Sequence, residues 1–112
     1  MDGEHVKTAR QDQELLHVAV GLNADASDPI YIAKAALAGV FLPAGTDLQP
    51  LSWYASIDGV NYAAVLHEDG SPISTGFDGP PAALPVPAAC LSFPYLKVVG
   101  SSAGYVQVCL KG

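Results

Sequence analysis

The chain has 112 residues, room for a single domain, since chains usually divide only above about 200 residues. Half of it is apolar and only 14% is charged, well under the roughly 25% of ordinary globular domains, so composition excludes intrinsic disorder. A net charge of -6 without any Lys/Arg cluster excludes a nucleic-acid partner, and 11 Gly with 9 Pro exclude a bundle of long helices.

Charge is concentrated at the start: 8 of the 16 charges fall in the first 28 residues. Residues 1–14 have neither an apolar period nor enough large apolar side chains to bury, which predicts an extended N-terminal arm followed by one β-sandwich domain over residues 15–112. The same segment is hydrophilic where a signal peptide needs an apolar core, and no apolar run reaches the ~18 to 20 residues that span a bilayer. A cytosol-type compartment without a membrane partner is therefore expected.

In the body, Leu16, Val18, Val20 and Leu22 alternate with His17, Ala19 and Gly21, the period of a half-buried strand. Ile30 and Ile32 open a second run, and Ala38 to Leu42 form a third that Pro43-Ala44-Gly45 closes. Ala33 to Ala38 has helical propensity, but one turn between β-branched Ile32 and Gly39 makes a poor helix, so strand or irregular structure is predicted. Leu51, Trp53, Ala55 and Ile57 share one face of the next strand, with Ser52, Tyr54 and Ser56 on the other. Asp58-Gly59 then predicts a tight hairpin into Val60 to Leu66, because Gly supplies the positive φ that such turns require. Asp69-Gly70 and Asp78-Gly79 repeat that signal at the spacing of successive strands.

Pro80 to Ala89 is punctuated by proline and cannot be a central strand. Tyr95 to Val99 and Tyr105 to Leu110 are the last two strands, joined by a turn at Ser101 to Gly104. In the second of them Val106, Val108 and Leu110 face inward, while Tyr105, Gln107, Cys109 and Lys111 face out. About eight short strands without a βαβ rhythm predict an all-β fold, an antiparallel β-sandwich or jelly roll.

Catalytic signatures are missing. There is no nucleophile elbow, no phosphate-cradling glycine loop and no carboxylate pair placed to split its pKa values, so neither an enzyme nor a cofactor is expected. His5, His17 and His67 lack metal-ligand spacing. His67-Glu68-Asp69-Gly70 gathers three potential ligands, but adjacent residues are not the alternating oxygens of a hard-cation loop, and a solvated turn is the reading adopted. Cys90 and Cys109 match no zinc or redox motif and are expected as free thiols.

Aromatic side chains on a β face suit stacking on a glycan or anchoring a protein partner. Tyr54, Tyr105 and Gln107 fall on outward faces, and with Trp53 they make up the candidate interaction surface; for Trp53 and Tyr62 core packing is the alternative.

From Leu37 onward several segments follow one another in a telling order. They are Val40-Phe41-Leu42-Pro43-Ala44, Leu51-Ser52-Trp53-Tyr54-Ala55, Ser56-Ile57-Asp58-Gly59-Val60-Asn61-Tyr62 and His67-Glu68-Asp69-Gly70, then Phe93-Pro94-Tyr95-Leu96-Lys97-Val98-Val99 and Val106-Gln107-Val108-Cys109-Leu110. This order resembles that of small β-sandwich structural proteins of tailed bacteriophages, over about two-thirds of the chain. Gly100-Ser101-Ser102-Ala103-Gly104 departs from it, standing where an Arg-Ser-Gly-Thr-like turn is usual. The resemblance implies a non-enzymatic virion protein, foremost a capsid decoration or cement protein on the capsid surface, assembled in the host cytoplasm. Its implied partners are the major capsid protein and itself, as a dimer or trimer. The alternative it leaves open is a tail or fibre-associated module that recognises host-surface glycan or another virion protein.

Overall fold

The computed structural model describes residues 13–76 and 78–112, which form nine strands in two antiparallel sheets with no α-helix among them. The first sheet is ordered β1 (Gln13–Val20), β9 (Gly104–Lys111), β3 (Leu37–Leu42), β7 (Ala82–Pro85). The second is ordered β2 (Ile30–Tyr31), β8 (Tyr95–Val99), β4 (Leu51–Ser56), and the far edge of β4 is shared by β5 (Ala63–Ala64) and β6 (Ser74–Thr75).

Period-two alternation decides what each sheet buries. Val18 and Val20, Val40 and Leu42, and Val106, Val108 and Leu110 come from the first sheet; Ile30, Leu51, Trp53, Ala55, Leu96 and Val98 come from the second; all belong to one core cluster. Full burial of side chains such as Leu42, Leu51 and Leu96 is worth about 1.5–3 kcal/mol each, which makes this shared core the main source of stability. Trp53 lies at its centre, with its indole N–H donating to Thr75 Oγ1 at 3.2 Å, so its one polar atom is satisfied.

The proline-punctuated segment supplies β7, an edge strand, where a missing N–H costs no ladder bond. Ala33 to Ala36 is irregular rather than helical. Two short 3₁₀ turns, Ala24–Ala26 and Ala88–Ser92, complete the fold; the first is capped by Asn23 Oδ1, which accepts from the N–H groups of Asp25 and Ala26.

Several expectations are corrected. Leu22 and Ile57 are exposed, because β1 stops at Val20 and β4 at Ser56, and alternation no longer governs them. Antiparallel pairing after Asp58-Gly59 is present but short, Tyr54 opposite Ala64 and Ala55 opposite Ala63, across a wider loop than a two-residue turn. That loop is held from within. Ser56 Oγ accepts from the N–H groups of Asp58 and Gly59, and Asp58 Oδ1 accepts from those of Val60 and Asn61, which leaves no call for ladder partners. Ser101 to Gly104 does not join a hairpin: it carries the chain from β8 in one sheet to β9 in the other. Of the arm predicted over residues 1–14, residues 1–12, His5 among them, lie outside the described residues. Gln13 and Glu14 belong to β1, opposite Lys111 and Leu110, since pairing with β9 needs no side-chain burial.

Candidate functional site

The four residues of the predicted interaction surface do not meet. Trp53 is buried in the core, Tyr54 is half-buried on the outer face of the second sheet, and Tyr105 and Gln107 are exposed on the outer face of the first.

That last face is the most distinctive surface of the molecule. Strand register sets its side chains in rows: Gln13, Lys111 and Leu37; Leu15, Cys109, Gly39 and Pro85; His17, Gln107, Phe41 and Ala83; then Ala19 and Tyr105. Leu15 is 75% exposed, Leu37 64%, Tyr105 55% and Phe41 42%, so large apolar side chains stand in solvent on adjacent strands. Single exposed apolar residues are ordinary, whereas a contiguous group of them makes this face a candidate contact surface. At the centre Gly39 has no side chain, and the hollow it leaves, about 190 Å³, is lined by Leu15, Phe41, Ala83, Gln107 and Cys109 among others.

Electrostatics set the face apart as well. Eight acidic residues occur in residues 13–112, and none belongs to these rows: Glu14 alternates to the opposite side of β1, and the other seven lie in connections between strands. Among the described residues, Lys111 and His17 are the only titratable side chains in these rows besides Tyr105 and Cys109. His17 stacks on Tyr105 with ring centroids 4.6 Å apart and planes 12° from parallel. This pair borders a second hollow, about 640 Å³, whose walls include Thr46, Asp47, Ser102 and Gln107.

Individual residues gave little warning of this face, because each exposed side chain fits ordinary alternation. The available signal is apolar residues at consecutive strand positions, Leu15-Leu16, Leu37-Ala38 and Phe41-Leu42. A strand with one wet face needs only alternate apolar residues, so doubling signals a second face that avoids water.

On the outer face of the second sheet Tyr31 and Tyr95 are neighbours in register, with ring centroids 5.1 Å apart. The Lys97 ammonium lies 4.5 Å from the Tyr62 ring centroid, within cation–π range. The Tyr62 hydroxyl is buried without a hydrogen-bond partner among the described residues, and this burial, followed by the nearby Tyr95 and Asp58, raises its pKa. The loop over residues 57–62 covers part of this face, with Gly59 against the Tyr95 ring.

His67-Glu68-Asp69-Gly70 forms a turn in which Gly70 has φ +89° and its N–H donates to the His67 carbonyl. Asp69 Oδ1 accepts from the Ser71 hydroxyl and N–H, which lowers its pKa, so its carboxylate is already engaged. Among the described residues no group of three or more His, Cys, Asp or Glu side chains is placed to hold a metal ion. Both cysteines are free thiols. Cys90 is in the core, where burial pushes its pKa up to about 12, and Cys109 is half-buried on the apolar face.

No family model, curated protein or solved structure matches this chain.

Proposed function

We propose that the two sheets form a β-sandwich of jelly-roll type and that the protein is a non-enzymatic structural subunit of a tailed-bacteriophage virion, a capsid decoration or cement protein that holds the major capsid lattice through the outer face of its first sheet. The observation that carries this reading is the acid-free apolar face itself. A chain of net charge -6 keeps every described acidic residue off one face, and on that face leaves Leu15, Leu37, Phe41 and Tyr105 exposed. Protein interfaces are depleted in charge and enriched in aromatic anchors at their centres, and this face has that composition. The order of segments from Leu37 onward supplies the phage assignment.

Adding purified protein to capsids that lack it tests the proposal. Saturable binding that stiffens the particles against heat is expected, with Phe41→Asp abolishing it in a protein that still folds. Binding undiminished by Phe41→Asp overturns the assignment of the face, and no binding to any capsid overturns the function.

A second reading is a tail or fibre module for host glycan. The exposed His17–Tyr105 stack beside the hollow lined by Thr46, Asp47, Ser102 and Gln107 favours it, since sugars take an aromatic platform flanked by polar groups. Glycan-array hits that Tyr105→Ala removes would place the protein there.

A further inference from the structure

β1 is one edge of the first sheet, eight residues long and free of proline. Its outward backbone groups are identified by Ala19, whose N–H donates to Asp28 Oδ2 at 3.0 Å and whose carbonyl accepts from the Asp28 N–H at 3.1 Å. Backbone direction alternates along a strand, so Leu15 and His17 turn their N–H and C=O groups the same way. No described group bonds them. Asp28 therefore closes one end of the edge and leaves Gln13 to His17 open, a template of the kind that stable proteins normally cover or charge.

From this we infer that the Gln13–His17 edge pairs antiparallel with the same segment of a second copy, joining two four-stranded sheets into one of eight strands about a two-fold axis at Leu15. The register follows from the residues. Antiparallel self-pairing that brings open groups together must oppose odd positions to odd positions. Opposing Gln13 to Leu15 sets Glu14 against Glu14 of the copy, and like charges directly across a ladder are unfavourable. Opposing Leu15 to His17 drives Gln13 onto Ala19, which Asp28 already occupies. Centring on Leu15 avoids both: Leu15 meets Leu15, Gln13 meets His17, and Glu14 meets Leu16. All three open positions on each strand then exchange hydrogen bonds, and the exposed Leu15 side chains cover each other. The interface is isologous, so it closes as a dimer instead of growing into a fibre. It uses the open backbone of β1 and shares only the side chains at that edge, Leu15 foremost, with the face assigned to the capsid, so Phe41→Asp on β3 can abolish particle binding while leaving the dimer intact.

Sedimentation velocity of the full chain from micromolar to millimolar concentration, with amide hydrogen exchange at both ends of the series, tests the pairing. A reversible dimer is expected, with the Leu15 and His17 amides slowing by about tenfold or more as it fills. Leu15→Pro removes an outward N–H that β9 does not use, and Leu15→Lys sets two like charges across the axis; each variant should remain folded and weaken the dimer by about tenfold or more. A chain monomeric throughout, a dimer unaffected in whichever of the two variants folds, or protection that rises elsewhere but not at Leu15 and His17 overturns the inference.

Discussion

His17 on β1 and Tyr105 on β9 stack nearly parallel in full view of solvent, their ring centroids 4.6 Å apart. They are diagonal neighbours across the ladder, Tyr105 lying opposite Ala19 and His17 opposite Gln107. Aromatic pairs of this kind add about 0.5–1.5 kcal/mol beyond their area. A double-mutant cycle with His17→Ala and Tyr105→Ala, read by urea denaturation, should return a coupling of about that size. Additive single-mutant losses would show that the stack is not stabilising.

Trp53 is enclosed by both sheets, so its fluorescence should be blue-shifted and resist acrylamide quenching until the protein unfolds. Trp53→Ala should cost about 3–5 kcal/mol, a large share of the roughly 5–15 kcal/mol that keeps a typical domain folded. Trp53→Phe keeps most of the volume but leaves the Thr75 hydroxyl without its donor, and should cost less.

Glycines separate stability from docking. A Cβ on Gly21 would lie 2.6 Å from the Ala26 carbonyl carbon, and one on Gly100 2.6 Å from the Leu48 carbonyl oxygen, so alanine at either position forces backbone apart and should cost about 1–3 kcal/mol. Gly39 differs: its nearest contact would be Leu84 O at 3.5 Å, an ordinary distance. Gly39→Ala should leave the thermal midpoint unchanged or raise it while filling the hollow on the apolar face; if that face docks on the capsid, as proposed, the same variant weakens particle binding. A large loss of stability in Gly39→Ala would contradict this.

Asp58 makes stability depend on acid. The Asn61 and Val60 N–H groups first, and then the Ser56 hydroxyl and Asn61 amide, hold its carboxyl far below the ordinary 3.8. The unfolded chain thus takes up a proton near 3.8 that the folded protein still refuses. This contribution is complete above that value and is lost as pH falls below it toward the depressed folded pKa. Thermal midpoints of wild type and Asp58→Asn measured from pH 6 down to pH 2 should converge as acid is added. Parallel curves would mean that Asp58 is not held in this way.

The two thiols should differ in reactivity. Cys109 lies on the outer face and should react with a disulfide reagent in the native protein, whereas Cys90, buried with its pKa pushed up to about 12, should react only on unfolding. Two equally fast thiols would contradict the fold around Cys90.

Local chemistry was readable and sheet membership was not. The alternation through Leu16 to Val20, Leu51 to Ala55 and Val106 to Leu110 identifies the inward side chains, because a strand with one buried face leaves no other pattern. The turn after Ser56 is wider than its Asp-Gly pair predicts: Asp-Gly specifies positive φ at Gly59, but the Ser56 hydroxyl and Asp58 carboxylate satisfy N–H groups that a tight hairpin gives to a strand. Which sheet receives β8 and which receives β9 depends on contacts remote in sequence, and a short Ser-Ala-Gly turn fits a hairpin and a crossing equally. The interaction face was divided for the same reason. Tyr54 and Tyr105 both alternate outward, but from different sheets, whereas Leu15 and Phe41 meet Gln107 and Cys109 at one surface that strand register, not alternation, assembles.

Hydroxyl-radical footprinting of the free protein and of assembled particles tests the docking face most directly. If the outer face of the first sheet holds the capsid, Phe41 and Tyr105 lose labelling on particles, while Tyr31, 51% exposed on the outer face of the second sheet, keeps it. Phe41 and Tyr105 labelled equally in both states, with protection appearing at Tyr31 instead, would contradict it.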